Sequence, residues 1–110
     1  MRRYTVEISN LAQNDILRNT DYIAFNKKSP GTALSLSRGI HKQIQSLSIN
    51  PYRHNLDEDD TLSALQIRKH YFKNYKIYYT IDDAKRTVYI VRVLHMLVDG
   101  KSALIRSFNP

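Results

Sequence analysis

The chain has 110 residues, 42% of them apolar and 25% charged, enough for one domain with a single core and no metal or disulfide staple. It has no cysteine, which excludes disulfides and thiolate metal sites, and no run approaches the roughly 18 apolar residues of a membrane span. The net charge of +7 is uneven: four of the ten acids form Asp57-Glu58-Asp59-Asp60, while nine lysines and arginines in residues 65–110 stand against Asp82, Asp83 and Asp99. A basic C-terminal half favours a polyanion or an acidic protein segment as partner. Met1-Arg2-Arg3 leads into a strand pattern rather than an apolar leader, so a cytoplasmic location and no membrane partner are expected.

The first element is a strand over residues 4–8, where Tyr4-Thr5-Val6-Glu7-Ile8 alternates. Ser9-Asn10 offers cap side chains for a helix beginning near Leu11, with Ala12, Ile16 and Ile23 at helical spacing and Leu11 and Tyr22 flanking that face. Asn26-Lys27-Lys28-Ser29-Pro30-Gly31 breaks the pattern with turn residues. A second helix follows, whose Ala33, Leu36, Ile40, Ile44 and Leu47 form one apolar stripe. Gly39 within it costs about 1 kcal/mol of propensity against alanine. Asn50-Pro51 closes the helix, because the residue before proline is driven out of the helical region.

Residues 52–63 form a polar connector in which the acidic run reads as a flexible, solvated loop. Strands are predicted near residues 65–70, 75–81 and 87–94, with Lys73-Asn74 and Asp82-Asp83-Ala84-Lys85 as tight turns. Such short connectors make antiparallel neighbours. The fold class is therefore α+β, in the order β-α-α-β-β-β. A four-stranded, mainly antiparallel sheet carries a two-helix hairpin on one face, within one domain over residues 1–110. Tyr75, Ile77, Tyr79 and Ile81 are expected on the core face, and Lys76, Tyr78 and Thr80 on the open face. The face taken by Arg92 depends on register.

The chemistry concentrates on that expected open face. Arg68, Lys69, His70, Lys73 and Lys76 form the densest basic cluster, and lysine and arginine on a strand grip phosphates while Tyr71, Tyr75 and Tyr78 can stack on bases. Solvated lysines on a strand serve equally as protection against edge pairing. His95 is the candidate acid–base group, since imidazole titrates near neutrality, with Arg68 or Arg92 to stabilise phosphorane charge. Its alternative role is a plain strand end bonded to the backbone. His41, His54, His70 and His95 lack metal-ligand spacing, so neither metal nor cofactor is expected.

The order of elements resembles the RelE/ParE family of bacterial type II toxins. The resemblance runs from Tyr4 to about Leu104. It rests on Ala12, on Pro30, Ala33, Ile40, Ile44, Leu47 and Pro51, on Leu65-Gln66-Ile67-Arg68, on Asn74-Tyr75-Lys76-Ile77-Tyr78-Tyr79, and on Val91-Arg92-Val93-Leu94-His95 with Asp99. It implies a growth-inhibiting toxin that binds a small acidic antitoxin, with or without higher oligomers of the pair. The target is DNA gyrase in ParE-like members, or the ribosome with its messenger RNA in RelE-like endoribonucleases. Residue by residue, Lys76 stands where cleaving members carry an arginine, and Arg68 matches a shared basic position. His95-Met96-Leu97-Val98 replaces a second functional arginine, and Ser102-Ala103-Leu104-Ile105 holds no match for a catalytic tyrosine. The resemblance thus implies His95, Lys76 and Arg68 as catalytic residues if the chain is a ribonuclease. Target contacts fall to Arg68, Lys69, Lys73, Lys76, Tyr78 and Arg92. The long helical hairpin and the Arg92-Val93-Leu94-His95 ending are nearer the ParE branch, and a degenerate, non-toxic relative is the third possibility.

Overall fold

The computed structural model describes residues 3–108; Met1 and Arg2, read above as leading into the first strand, lie outside the described residues. In chain order the elements are β1 (Thr5–Ile8), α1 (Asn10–Asp21), α2 (Pro30–Ser46), α3 (Asp60–Ala64), β2 (Arg68–Phe72), β3 (Tyr75–Asp82), β4 (Thr87–His95) and α4 (Gly100–Phe108). The sheet order is β1-β4-β3-β2, with β1 parallel to β4 and the other pairs antiparallel. The expected α+β architecture is present, with α3 and α4 added to it.

Local chemistry explains the boundaries. Ser9 caps α1, its Oγ accepting the Ala12 amide at 3.0 Å. The helix then widens into a π turn over Tyr22–Asn26, where the Lys27 amide donates to Tyr22 O at 3.2 Å. Tyr22 is exposed, as is Leu11 at the other end of the helix, correcting their placement beside the apolar face. Pro30 occupies the first turn of α2, where its missing amide costs no helical bond. The helix ends at Ser46, and Asn50 takes a left-handed φ of 50° before Pro51.

The hairpin face of the sheet holds the larger core. Ala12, Ile16, Leu36, Ile40, Ile44 and Leu47 pack on Tyr75, Ile77, Tyr79, Val88, Ile90 and Val93. Tyr79 is fully buried, and its hydroxyl donates to Pro51 O at 2.6 Å, anchoring the connector. Gly39 admits Phe72 from β2: a Cβ at Gly39 would stand 2.6 Å from Phe72 Cζ. The glycine that weakens the helix in isolation makes room for the sheet.

The opposite face is not open. Leu62, Ile67, Tyr78, Leu94, Ala103 and Leu104 form a second core there, with Val91 packed against it. Helices α3 and α4 supply Leu62, Ala103 and Leu104, apolar groups too few to read from a polar connector and a short tail. The acidic run is ordered rather than a free loop. Asp57 is buried, and Asp59 caps α3 by accepting the Thr61 and Leu62 amides. The strand expected from residue 65 begins at Arg68, because Leu65 closes α3 and Gln66 turns through φ 61°.

Candidate functional site

Strand alternation divides the basic cluster between two faces. Arg68 lies opposite Tyr79 and thus on the hairpin side, where Nη1 donates to His54 O at 2.7 Å and the guanidinium stacks 4.8 Å from the Tyr52 ring. His70 shares that side: its Nε2 lies 2.8 Å from Gln43 Oε1, and its ring stacks on His54 at 3.9 Å. Desolvation, with the charges of His54 and Arg53 behind it, lowers the His70 pKa to about 4. Arg68 and Lys76 therefore do not meet on one face.

The residues opposite Tyr78 and Lys76 are Lys69 and Tyr71. Lys69 Nζ lies 3.2 Å from Asp57 Oδ2 and 3.1 Å from Glu58 Oε2. Burial opposes its charge, but hydrogen bonds with Tyr71, Glu58 and Asp57 hold its pKa above the usual lysine value. Lys76 is only 9% exposed, and its Nζ donates to Val98 O at 2.9 Å. Tyr78 is 2% exposed, its hydroxyl pressed on Gly100, and burial pushes its pKa to about 12. The expectation that Lys76 and Tyr78 are displayed outward is thus corrected: α4 and the loop before it cover both. Lys73 stays exposed in the β2–β3 turn, 5.6 Å from the Phe72 ring.

A β-bulge decides the face of Arg92. Tyr78 pairs with Arg92 but Tyr79 pairs with Ile90, so Val91 is the extra residue. Strict alternation would keep Ile90 and Arg92 on one face; the bulge sends Ile90 into the hairpin core and Arg92 to the Tyr78 side. There Arg92 turns to the sheet edge and forks onto Asp15 of α1, with Nε and Nη2 both at 2.7 Å, while Nη1 donates to Ser107 Oγ at 3.1 Å. The hydrogen bond to Asp15 raises the arginine pKa further.

Arg92 and His95 are the two expected residues that one cavity brings together. Arg18, Asn19 and Asp15 of α1, Arg92, Leu94 and His95 of β4, Val98, and Ala103 and Arg106 of α4 line a cleft of about 290 Å³. The cleft exists because β1 stops at Ile8, leaving the far half of β4 paired with β3 on one edge and without a strand on the other. Helix α1 covers it instead: Ser9 Oγ donates to Val91 O at 2.9 Å, and Asp15 Oδ2 accepts the Val93 amide at 3.0 Å. His95 Nδ1 accepts the Leu97 amide at 3.2 Å, so the neutral ring carries its proton on Nε2. Its ring meets Tyr75 edge-on at 5.4 Å. Arg18 was not singled out from sequence, and Arg106 was read only as part of a basic tail with Lys101, a second place to look for activity. The available signal was that Asp15, Arg18 and Asn19, at spacings of three and four, share one helical face.

The sheet order and helical hairpin define a small α+β protein with the fold anticipated from the strand and helix order. The family model for the ParE toxin of type II toxin-antitoxin system, parDE, matches residues 6–99, and the chain belongs to that family. Among solved structures, a chain of the RelBE2 toxin–antitoxin complex from Mycobacterium tuberculosis is 25% identical, with TM-score 0.62 over 86% of this chain and 93% of that one. A chain of the chromosomal ParDE system from P. aeruginosa is 14% identical, with TM-score 0.69 over 86% of this chain and 98% of that one. No curated protein matches at a significant level.

Proposed function

We propose that this type II toxin acts in the cytoplasm by binding DNA gyrase, without bond-breaking chemistry, and is held silent by a small acidic antitoxin. The observation that carries the reading is the closure of the sheet face by α3 and α4, with Lys76 buried and bonded to Val98 O. A nuclease working from that face needs Lys76 at the scissile phosphate. Support for a protein partner comes from the outer side of the helical hairpin, where Leu17, Phe25 and Leu34 are exposed, Phe25 to 75%. An amphipathic antitoxin segment, disordered until bound, answers such apolar groups together with the +7 charge of the chain.

The test is induction of the chain in growing cells, followed by plasmid supercoiling, DNA breaks and messenger RNA ends. Loss of supercoiling or gyrase-dependent breaks with intact messages is the expected result. Discrete cuts in translated messages with gyrase unaffected would instead establish the second reading, a ribosome-dependent endoribonuclease. That reading draws on the cleft, where His95 and Arg92 sit with Arg18 and Arg106. In it, His95 moves the proton, while Arg68 and Lys76, expected beside it from sequence, lie outside the cleft lining.

A further inference from the structure

We propose that the cleft between α1, β4 and α4 is an oxyanion site for a phosphate group, from a nucleic-acid backbone or a free nucleotide. The inference goes beyond the choice of gyrase or ribosome and does not depend on it. It follows from which polar groups around the cleft are already committed.

Among the described residues Asp15 is the sole carboxylate lining the cleft, and both of its oxygens are engaged, Oδ1 by Arg92 Nη2 and Oδ2 by Arg92 Nε and the Val93 amide. Arg92 is likewise engaged through all three nitrogens, which makes it a fixed wall rather than a mobile hand. Asn19 uses its amide nitrogen on Asp15 O at 2.8 Å. His95 Nδ1 is taken by the Leu97 amide, leaving Nε2–H as a donor. Arg18 and Arg106 make no ion pair within 4.0 Å among the described residues, and Arg106 acts only at longer range on the exposed Asp99, whose pKa the Ser102 hydrogen bonds lower first and Arg106 helps to lower. The groups lining the cleft that no hydrogen bond or close ion pair engages are therefore donors: two guanidiniums from two helices and one imidazole N–H.

A donor-rich cleft with its carboxylate already neutralised calls for an acceptor-rich anion. A carboxylate presents two coplanar oxygens, which suit one planar arginine fork. A phosphate presents oxygens in a tetrahedral array and can answer several donors arriving from different directions. Arg18 and Arg106, mounted on α1 and α4 across the cleft from each other's helix, suit the tetrahedral ligand. Leu94, Val98 and Ala103 add an apolar lining for the organic part of an ester.

The experiment follows the His95 ring and arginine Nε resonances of the full chain by NMR. Inorganic phosphate, adenosine monophosphate and a short single-stranded RNA are added in turn in low-chloride buffer. Saturable shifts at His95 with all three are expected, tightest with RNA if the source is a nucleic-acid backbone and with the mononucleotide if it is a free nucleotide. Arg18→Gln and Arg106→Gln should each weaken binding about tenfold or more, the scale for losing a charged hydrogen-bond donor. Lys85→Gln, in the β3–β4 turn, should change it by less than about twofold. Both arginines are on the surface, and unchanged melting of the variants verifies that the fold persists. The proposal is overturned if His95 shows no saturable shift, if the double variant binds phosphate like the parent, or if a glutamate-rich peptide competes at the same residues with equal affinity.

Discussion

Asp15 holds Arg92 with both carboxylate oxygens at 2.7 Å and accepts the Val93 amide at 3.0 Å, just past the point where β1 ends and one edge of β4 loses its strand neighbour. One side chain thus replaces a missing strand partner and fixes the cleft wall. Replacing Asp15 by Ala leaves a half-buried guanidinium and a strand amide without their acceptor. The expected loss is about 3–5 kcal/mol, the scale for breaking a buried pair from one side. Urea unfolding at neutral pH measures it, and a midpoint equal to the parent's would show that the pair carries no stability. Arg92→Lys should recover little, since an ammonium cannot reproduce the two-pronged geometry.

Gly100 starts α4 directly against Tyr78. A Cβ there would lie 2.0 Å from the Tyr78 hydroxyl oxygen and 2.8 Å from Cζ, and the 2%-exposed ring has no space to swing. Gly100→Ala should cost about 1–3 kcal/mol by overpacking, and adding Tyr78→Phe should recover part of that by removing the nearest atom. A double-mutant cycle on thermal melts reads the coupling, and additive effects would refute the contact. Gly39→Ala should behave in the same sense against Phe72, although helix propensity alone predicts a gain of about 1 kcal/mol.

The His54–His70 stack makes stability depend on pH. Desolvation first, then the neighbouring His54 and Arg53, brings the His70 pKa from 6.5 to about 4, and desolvation lowers that of His54. A histidine whose folded pKa is depressed binds its proton in the unfolded chain first, so its contribution is complete above 6.5 and fades as pH falls toward 4. The loss across that window is on the order of 2 kcal/mol after allowance for partial exposure. His70→Gln should flatten the profile between those limits, and an unchanged slope would assign the acid sensitivity to other groups.

Lys76 separates structural from functional use of a cation. Its stem lies among the second core and its ammonium bonds Val98 O. Lys76→Met keeps the volume and should leave folding and growth inhibition close to the parent's. Lys76→Ala removes several methylenes and should destabilise by about 2 kcal/mol or more. If Lys76→Met folds normally yet no longer inhibits growth, the ammonium itself acts on the target.

Arg68→Ala removes the bond to His54 O and the stack on Tyr52. An exposed strand arginine would cost almost nothing; here about 1 kcal/mol is expected from the lost charged hydrogen bond. Denaturant titration distinguishes the two, a loss within about 0.5 kcal/mol indicating that Arg68 is free to serve a target.

The apolar periodicities by themselves determined the hairpin, the meander and the larger core. Leu36, Ile40, Ile44 and Leu47 bury the face their spacing announces, and Tyr75, Ile77 and Tyr79 receive it. Such patterns are local and repeat often enough to be read along the chain. Of the cleft, Arg92 and His95 were nameable from sequence, while Arg18 and Arg106 carry no local sign of convergence, lying 88 positions apart. Only the tertiary structure decided which way Arg92 and Leu94 face, because one extra residue at Val91 reverses the parity of the strand. Only packing revealed that the second sheet face is closed, since α4 brings just Ala103 and Leu104 to it, α3 brings Leu62, and Ile67, Tyr78 and Leu94 supply the rest. A short helix cannot announce a buried face from so few residues; it acquires one when a sheet is already there to receive it.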